Sequence, residues 1–110
     1  MLQDNSKQLR FFNEYSVSKL AALNKSDNVI HLDHVAYAED HLALVFKEYK
    51  MSFRSYLRDF RLPGQLSEIL LKVAEGIKEI HSMNYIHRDL KPENIVLNLF
   101  PIEVRIIDFE

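Results

Sequence analysis

Apolar and polar residues follow two different periods along the chain, and the changes between them mark out its elements. Across residues 9–23, Phe11, Phe12, Tyr15, Leu20 and Leu23 keep a helical spacing of moderate regularity, which Lys25-Ser26-Asp27-Asn28 then breaks with turn formers. Residues 29–37 read as a strand, Ala38-Glu39-Asp40 as a turn, and residues 41–49, above all Leu42-Ala43-Leu44-Val45-Phe46, as a second, antiparallel strand. Residues 52–60 fit a short helix with Phe53, Tyr56, Leu57 and Phe60 inward, ended by a Pro63-Gly64 turn. The clearest helix spans residues 66–83, where Leu66, Ile69, Leu70, Val73, Ile77 and Ile80 recur every three or four positions. Gly76 lowers the propensity of that helix, so its missing side chain predicts a neighbour packed close by. After a polar loop, residues 94–99 and 103–107 read as two short strands joined at Phe100-Pro101. Two strands flanked by helices cannot bury both of their faces, which predicts a further partner for them.

Length and charge narrow the classes of function. A chain of 110 residues holds one small domain or part of a larger one. The formal net charge is −2, with seven bases and seven acids in residues 1–55 and seven and nine in residues 56–110. Such an even spread offers no basic field for nucleic acid or an anionic membrane, and neither is expected as a partner. No cysteine is present, which excludes a disulfide scaffold, Cys-ligated zinc or iron–sulfur, and a thiol nucleophile. With only two glycines there is no phosphate-cradling glycine loop, so a nucleotide site is either incomplete or built on side chains. The first ten residues, MLQDNSKQLR, lack the apolar core of a signal peptide, and no hydrophobic run is long enough to cross a bilayer. An intracellular, cytoplasmic setting is the default expectation.

Candidate chemistry is concentrated in one stretch. Ile86-His87-Arg88-Asp89-Leu90-Lys91-Pro92-Glu93-Asn94-Ile95-Val96 is followed, nineteen residues after Asp89, by Asp108 at the end of a strand. A strand-end carboxylate and an asparagine on an adjacent hairpin can share Mg²⁺ through hard oxygen ligands. A second carboxylate can accept or orient a hydroxyl proton while an ammonium neutralises a transferring phosphoryl group. These are the parts that phosphoryl transfer needs. His31-Leu32-Asp33-His34 has the residue types of a metal cluster, but strand alternation puts His31 and Asp33 on one face and His34 on the other, so ordinary strand residues are expected.

The sequence HRDLKPEN followed by IIDFE resembles the catalytic loop and metal-binding motif of eukaryotic-type serine/threonine protein kinases. The resemblance implies an α+β, protein-kinase-like fold. It makes residues 1–46 part of the small lobe, 47–51 the hinge, and 52–110 the start of the large lobe with the catalytic loop. It implies ATP and Mg²⁺ as cofactors and a protein as substrate. Asp89 would be the catalytic base or hydroxyl-orienting carboxylate, and Lys91 would contact the transferring phosphate. Asn94 and Asp108 would hold the metal ions. Glu14 would pair with the strand lysine of the family, and Phe46 would be the gatekeeper. Lys47, Glu48 and Tyr49 would receive adenine, and Val96 would lie under it. His87 and Phe109 would belong to a packed stack. Lysine two positions beyond the catalytic aspartate is the serine/threonine pattern within the family.

The resemblance covers the middle of a kinase domain, and residues 1–110 are expected to contain neither the family's glycine-rich loop and strand lysine nor its activation segment. Residues 1–110 alone are therefore expected to be inactive, and a partner to cover the lobe surface left incomplete. The pattern departs at Glu110, which stands where the family has glycine and adds a negative charge beside the metal motif. Two alternatives follow from that departure: a noncatalytic, pseudokinase-like interaction module, and a small-molecule kinase of the same fold.

Overall fold

The computed structural model describes residues 5–59 and 64–109. The expectations for Phe60, Pro63 and Glu110 lie outside the described residues. Helix α1 (Asn5–Leu23) comes first and presents Val17, Ser18 and Ala21 inward, all fully buried. This corrects the expected stripe, because Phe12 and Leu23 are 61% and 68% exposed. Small side chains let the helix approach its neighbour, and Ser18 is tolerated there because its hydroxyl donates to the Glu14 carbonyl one turn back. The helix ends in a Schellman turn: Ser26 N–H donates to the Ala21 carbonyl (2.8 Å) and Lys25 N–H to the Ala22 carbonyl (3.2 Å). Lys25 supplies the left-handed residue that this turn requires, with φ 53°.

Strands β1 (Leu32–Ala38) and β2 (His41–Phe46) form an antiparallel two-stranded sheet with an irregularity between Leu32 and His34. The first strand starts later than its apolar run suggests. Val29 makes an isolated parallel bridge to Ile106 instead, and His31 turns its Nε2 to the Ser26 carbonyl. His34 Nδ1 lies 3.0 Å from the Asp33 carboxylate. Cross-strand pairs share a face, so Val35 with Leu44 and Tyr37 with Leu42 make one apolar face, on which Val35, Tyr37 and Leu42 are exposed.

The second sheet has the order β3-β4-β5 and is antiparallel throughout, with β3 at Met51–Ser52, β4 at Ile95–Leu99 and β5 at Ile102–Ile106. Ser52 ends β3 and caps helix α2 (Phe53–Asp59), its Oγ accepting from the Ser55 N–H at 3.1 Å. Helix α3 (Gln65–Ser82) buries Ile69, Gly76 and Ile80, but Leu70 and Leu71 are 50% and 64% exposed, so Leu70 leaves the expected core stripe. Alternation along β4 buries Ile95, Leu97 and Leu99, which meet Val104 and Ile106 of β5 and the buried residues of α3. Among the described residues, no helix is long and apolar enough to cross a membrane.

Candidate active site

The loop after α3 and the segment leaving β5 are pinned to each other. The Asp89 N–H donates to His87 Nδ1 (3.1 Å), so the ring carries its proton on Nε2, which donates to the Ile107 carbonyl (2.8 Å). Phe109 is buried beside that ring, with centroids 5.1 Å apart and planes inclined at 59°. The Ile107 N–H donates to the Asn94 carbonyl (2.9 Å), closing the link from the other side. A backbone held at both carbonyl and amide leaves Asp108 little freedom, and its φ of 60° lies in the left-handed region, which aspartate enters more readily than most residues.

Asn94 is buried at the end of the 3₁₀ turn Pro92–Asn94. Its Nδ2 donates to the Asp89 carbonyl (2.7 Å) and its backbone N–H to the Lys91 carbonyl (2.9 Å). With the nitrogen committed, Oδ1 is the remaining acceptor of its amide. Lys91 Nζ lies 3.2 Å from Asp89 Oδ2, and the two side chains are 47% and 41% exposed. An ion pair so open to solvent contributes at most about 1 kcal/mol to stability, so its importance lies in where it holds the two charges.

Next to this loop is a cavity of about 280 Å³ lined by Glu14, Ile30, Phe46, Lys47, Tyr49, Val96, Ile107 and Asp108. Six of these residues were singled out from the sequence, and five parts of the chain bring them together. Glu14 comes from α1, Phe46 from the end of β2, Lys47 and Tyr49 from the connection to β3, Val96 from β4, and Asp108 from the segment that leaves β5. Ile30 and Ile107 were not expected. Both sit in apolar runs that read as core, and only the fold shows that the runs end at an opening. Glu48 is exposed and does not line the cavity, and Asp89, Lys91 and Asn94 stand outside it on the adjoining loop. Lys47 directs its ammonium to Glu103 (3.3 Å) and over the Tyr49 ring (5.3 Å from the centroid).

The polar groups give the cavity an electronegative side. Burial pushes the Glu14 carboxyl above the ordinary glutamate range, the charge of Asp108 raises it further, and Arg10 opposes both. Two carboxylates facing one space favour a cation between or beside them. Among the described residues there is no group of three or more His, Asp or Glu placed to hold a metal. Asn94 and Asp108 can offer oxygen ligands, a donor set that suits Mg²⁺ when phosphate oxygens and water complete the shell.

A model of the protein kinase domain matches residues 2–110. The chain belongs to the protein kinase domain family. Its relatives include the Wee1-like protein kinase of Drosophila melanogaster, 34% identical over 93 residues that cover 82% of this chain and 15% of that protein. The serine/threonine-protein kinase MAK of Mus musculus is 34% identical over 96 residues, 84% of this chain and 15% of that protein. The cell division control protein 2 homolog 1 of Trypanosoma brucei brucei is 28% identical over 88 residues, 77% of this chain and 29% of that protein. The chain thus spans only 15–29% of the length of these relatives. Helices combined with antiparallel sheets agree with the α+β, kinase-like fold expected from the motif. Protein kinases as a family use ATP and Mg²⁺ and act on proteins.

Proposed function

We propose that this chain forms the nucleotide- and metal-facing part of an ATP-dependent serine/threonine protein kinase that transfers the γ-phosphate of ATP to a protein hydroxyl. The observation that carries this reading is a cavity with apolar walls and a carboxylate side, joined through Ile107 and Asn94 to the loop that bears Asp89 and Lys91. Residues 1–46 act as the small-lobe portion, 47–51 as the hinge and 52–110 as the large-lobe portion. The two separate sheets, joined through residues 47–50, support that division.

In this reading adenine lies between Phe46 and Val96 and meets the backbone of the Lys47-Glu48-Tyr49 connection. Asp108 and Asn94 would hold Mg²⁺ through their side-chain oxygens, and Glu14 would anchor a cationic group in the same cavity. Bound Mg²⁺ would offset the charge of the phosphates. Asp89 accepts the hydrogen of the substrate hydroxyl and orients its oxygen toward the γ-phosphorus. A new oxygen–phosphorus bond forms there as the bond to the β-bridging oxygen breaks and ADP leaves. Lys91 stays beside the transferring group and neutralises its charge.

Transfer of labelled γ-phosphate by the full-length protein to serine, threonine and tyrosine peptides tests the assignment. Label is expected on serine or threonine, and Asp89→Asn is expected to lower kcat by about 10²-fold or more with little change in KM for ATP. Equal turnover by Asp89→Asn would overturn the role given to that residue.

A further inference from the structure

We infer that Glu79 is a positioning residue: by gripping residues 26–28 from α3, its carboxylate fixes α1 against β5 and so sets Glu14 across the cavity from Asp108. The inference rests on the reading of that cavity as the nucleotide site, although the geometry of the grip does not depend on it.

Three donors converge on this carboxylate. Oε2 accepts from the Ser26 hydroxyl and from the Asp27 N–H at 3.0 Å, and Oε1 accepts from the Asn28 N–H at 3.1 Å. The same short segment is held from its other side by β5. The Ile106 N–H donates to the Asn28 carbonyl (3.0 Å), Asn28 Nδ2 to the Val104 carbonyl (3.2 Å), and Arg105 to the carbonyls of Ser26 and Val29. Ser26 and Asn28 are both buried, so the bonds they make are partly shielded from competing water, while the Asp27 N–H donates from an exposed residue.

The segment transmits its position in both directions. Toward the N-terminus, the Schellman turn through Lys25 joins it to α1 without a flexible residue, and α1 carries Glu14. On the other side, Ile106 ends β5 two residues before Asp108. The approach of α3 is itself built into the sequence, because a Cβ on Gly76 would lie 2.8 Å from the Asn28 carbonyl oxygen and 2.8 Å from Ile106 Cδ1. Gly76 stands about one turn before Glu79, so the glycine admits the segment and the glutamate holds it. The tip of a three-carbon-reach acid is what the site needs: a neutral side chain of the same size has one acceptor oxygen where three donors meet.

Spin-label distances test this without relying on activity. The chain has no cysteine, so Lys19→Cys with Phe100→Cys reports α1 against the β4–β5 turn, and Lys78→Cys with Phe100→Cys reports α3 against the same turn. In the parent protein both pairs are expected to give one narrow distance. Glu79→Ala should cost the first pair its narrow distance and leave the second unchanged, whereas a first pair that stays narrow would overturn the inference. If both pairs broaden in Glu79→Ala, Glu79→Gln decides. Broadening of the first pair alone supports a positioning role, and broadening of both or neither overturns it. Calorimetric titration of the parent protein with Mg·ATP is read separately: absence of binding would count against the nucleotide site and leave the distance result standing.

Discussion

Glu14 is a residue whose ionisation the fold disturbs. Burial and the nearby Asp108 raise its pKa, so the folded protein holds this proton more tightly than the unfolded chain. Between the ordinary glutamate pKa and the raised one, stability must therefore fall as pH rises, and it is regained as pH falls through the folded value. Glu14→Gln removes the ionisable group. Thermal melts should show the variant more stable than the parent at about pH 7 and the two converging below about pH 4; a constant difference across that range would contradict the buried-charge explanation. Asn94 gives a second residue-level test. Its buried amide ties the Asp89 carbonyl to the turn, and Asn94→Ala should cost about 1–3 kcal/mol in denaturant melts by stranding that carbonyl.

Helix α3 shows how burial differs along one element. Ile80 is 1% exposed and Leu70 50%, although both belong to the same apolar periodicity. Ile80→Ala should destabilise by about 2–5 kcal/mol, and Leu70→Ala by well under that, as judged by unfolding midpoints. Gly76→Ala makes the opposite test of propensity: alanine is about 1 kcal/mol better than glycine in a helix interior, yet here the added methyl meets backbone, so the melting temperature should drop. Much of this was legible beforehand. The period of residues 66–83, the alternation of β4 and β5 and the close approach at Gly76 all follow from local pattern. The buried face of α1 was not, because Val17, Ser18 and Ala21 form a small-residue stripe that becomes recognisable only against the element it packs on. The late start of β1 was hidden for a related reason: the backbone at Val29 and Ile30 pairs with Ile106, in a distant part of the chain, instead of with β2. The short strand β3 at Met51–Ser52 is likewise defined by Leu97 and Val96 opposite it.

Over the whole molecule, the motif around Asp89 and the strand-end Asp108 pointed to the proposed chemistry, but the cavity beside the loop is assembled from helix, strands and connections spread over most of the chain. The segment between α1 and β1 is held to both α3 and β5, a link between distant parts of the chain that no local pattern encodes. In the proposed reading, the cavity's apolar lining takes a flat aromatic base and its two carboxylates face a metal-bound phosphate. The most direct measurement is calorimetric titration of the protein with ATP in the presence and absence of Mg²⁺, for the parent and for Asp108→Asn. Binding should require Mg²⁺ in the parent and be lost in Asp108→Asn, while binding of equal strength without the metal, or undiminished in the variant, would contradict a metal-assisted nucleotide site at this cavity.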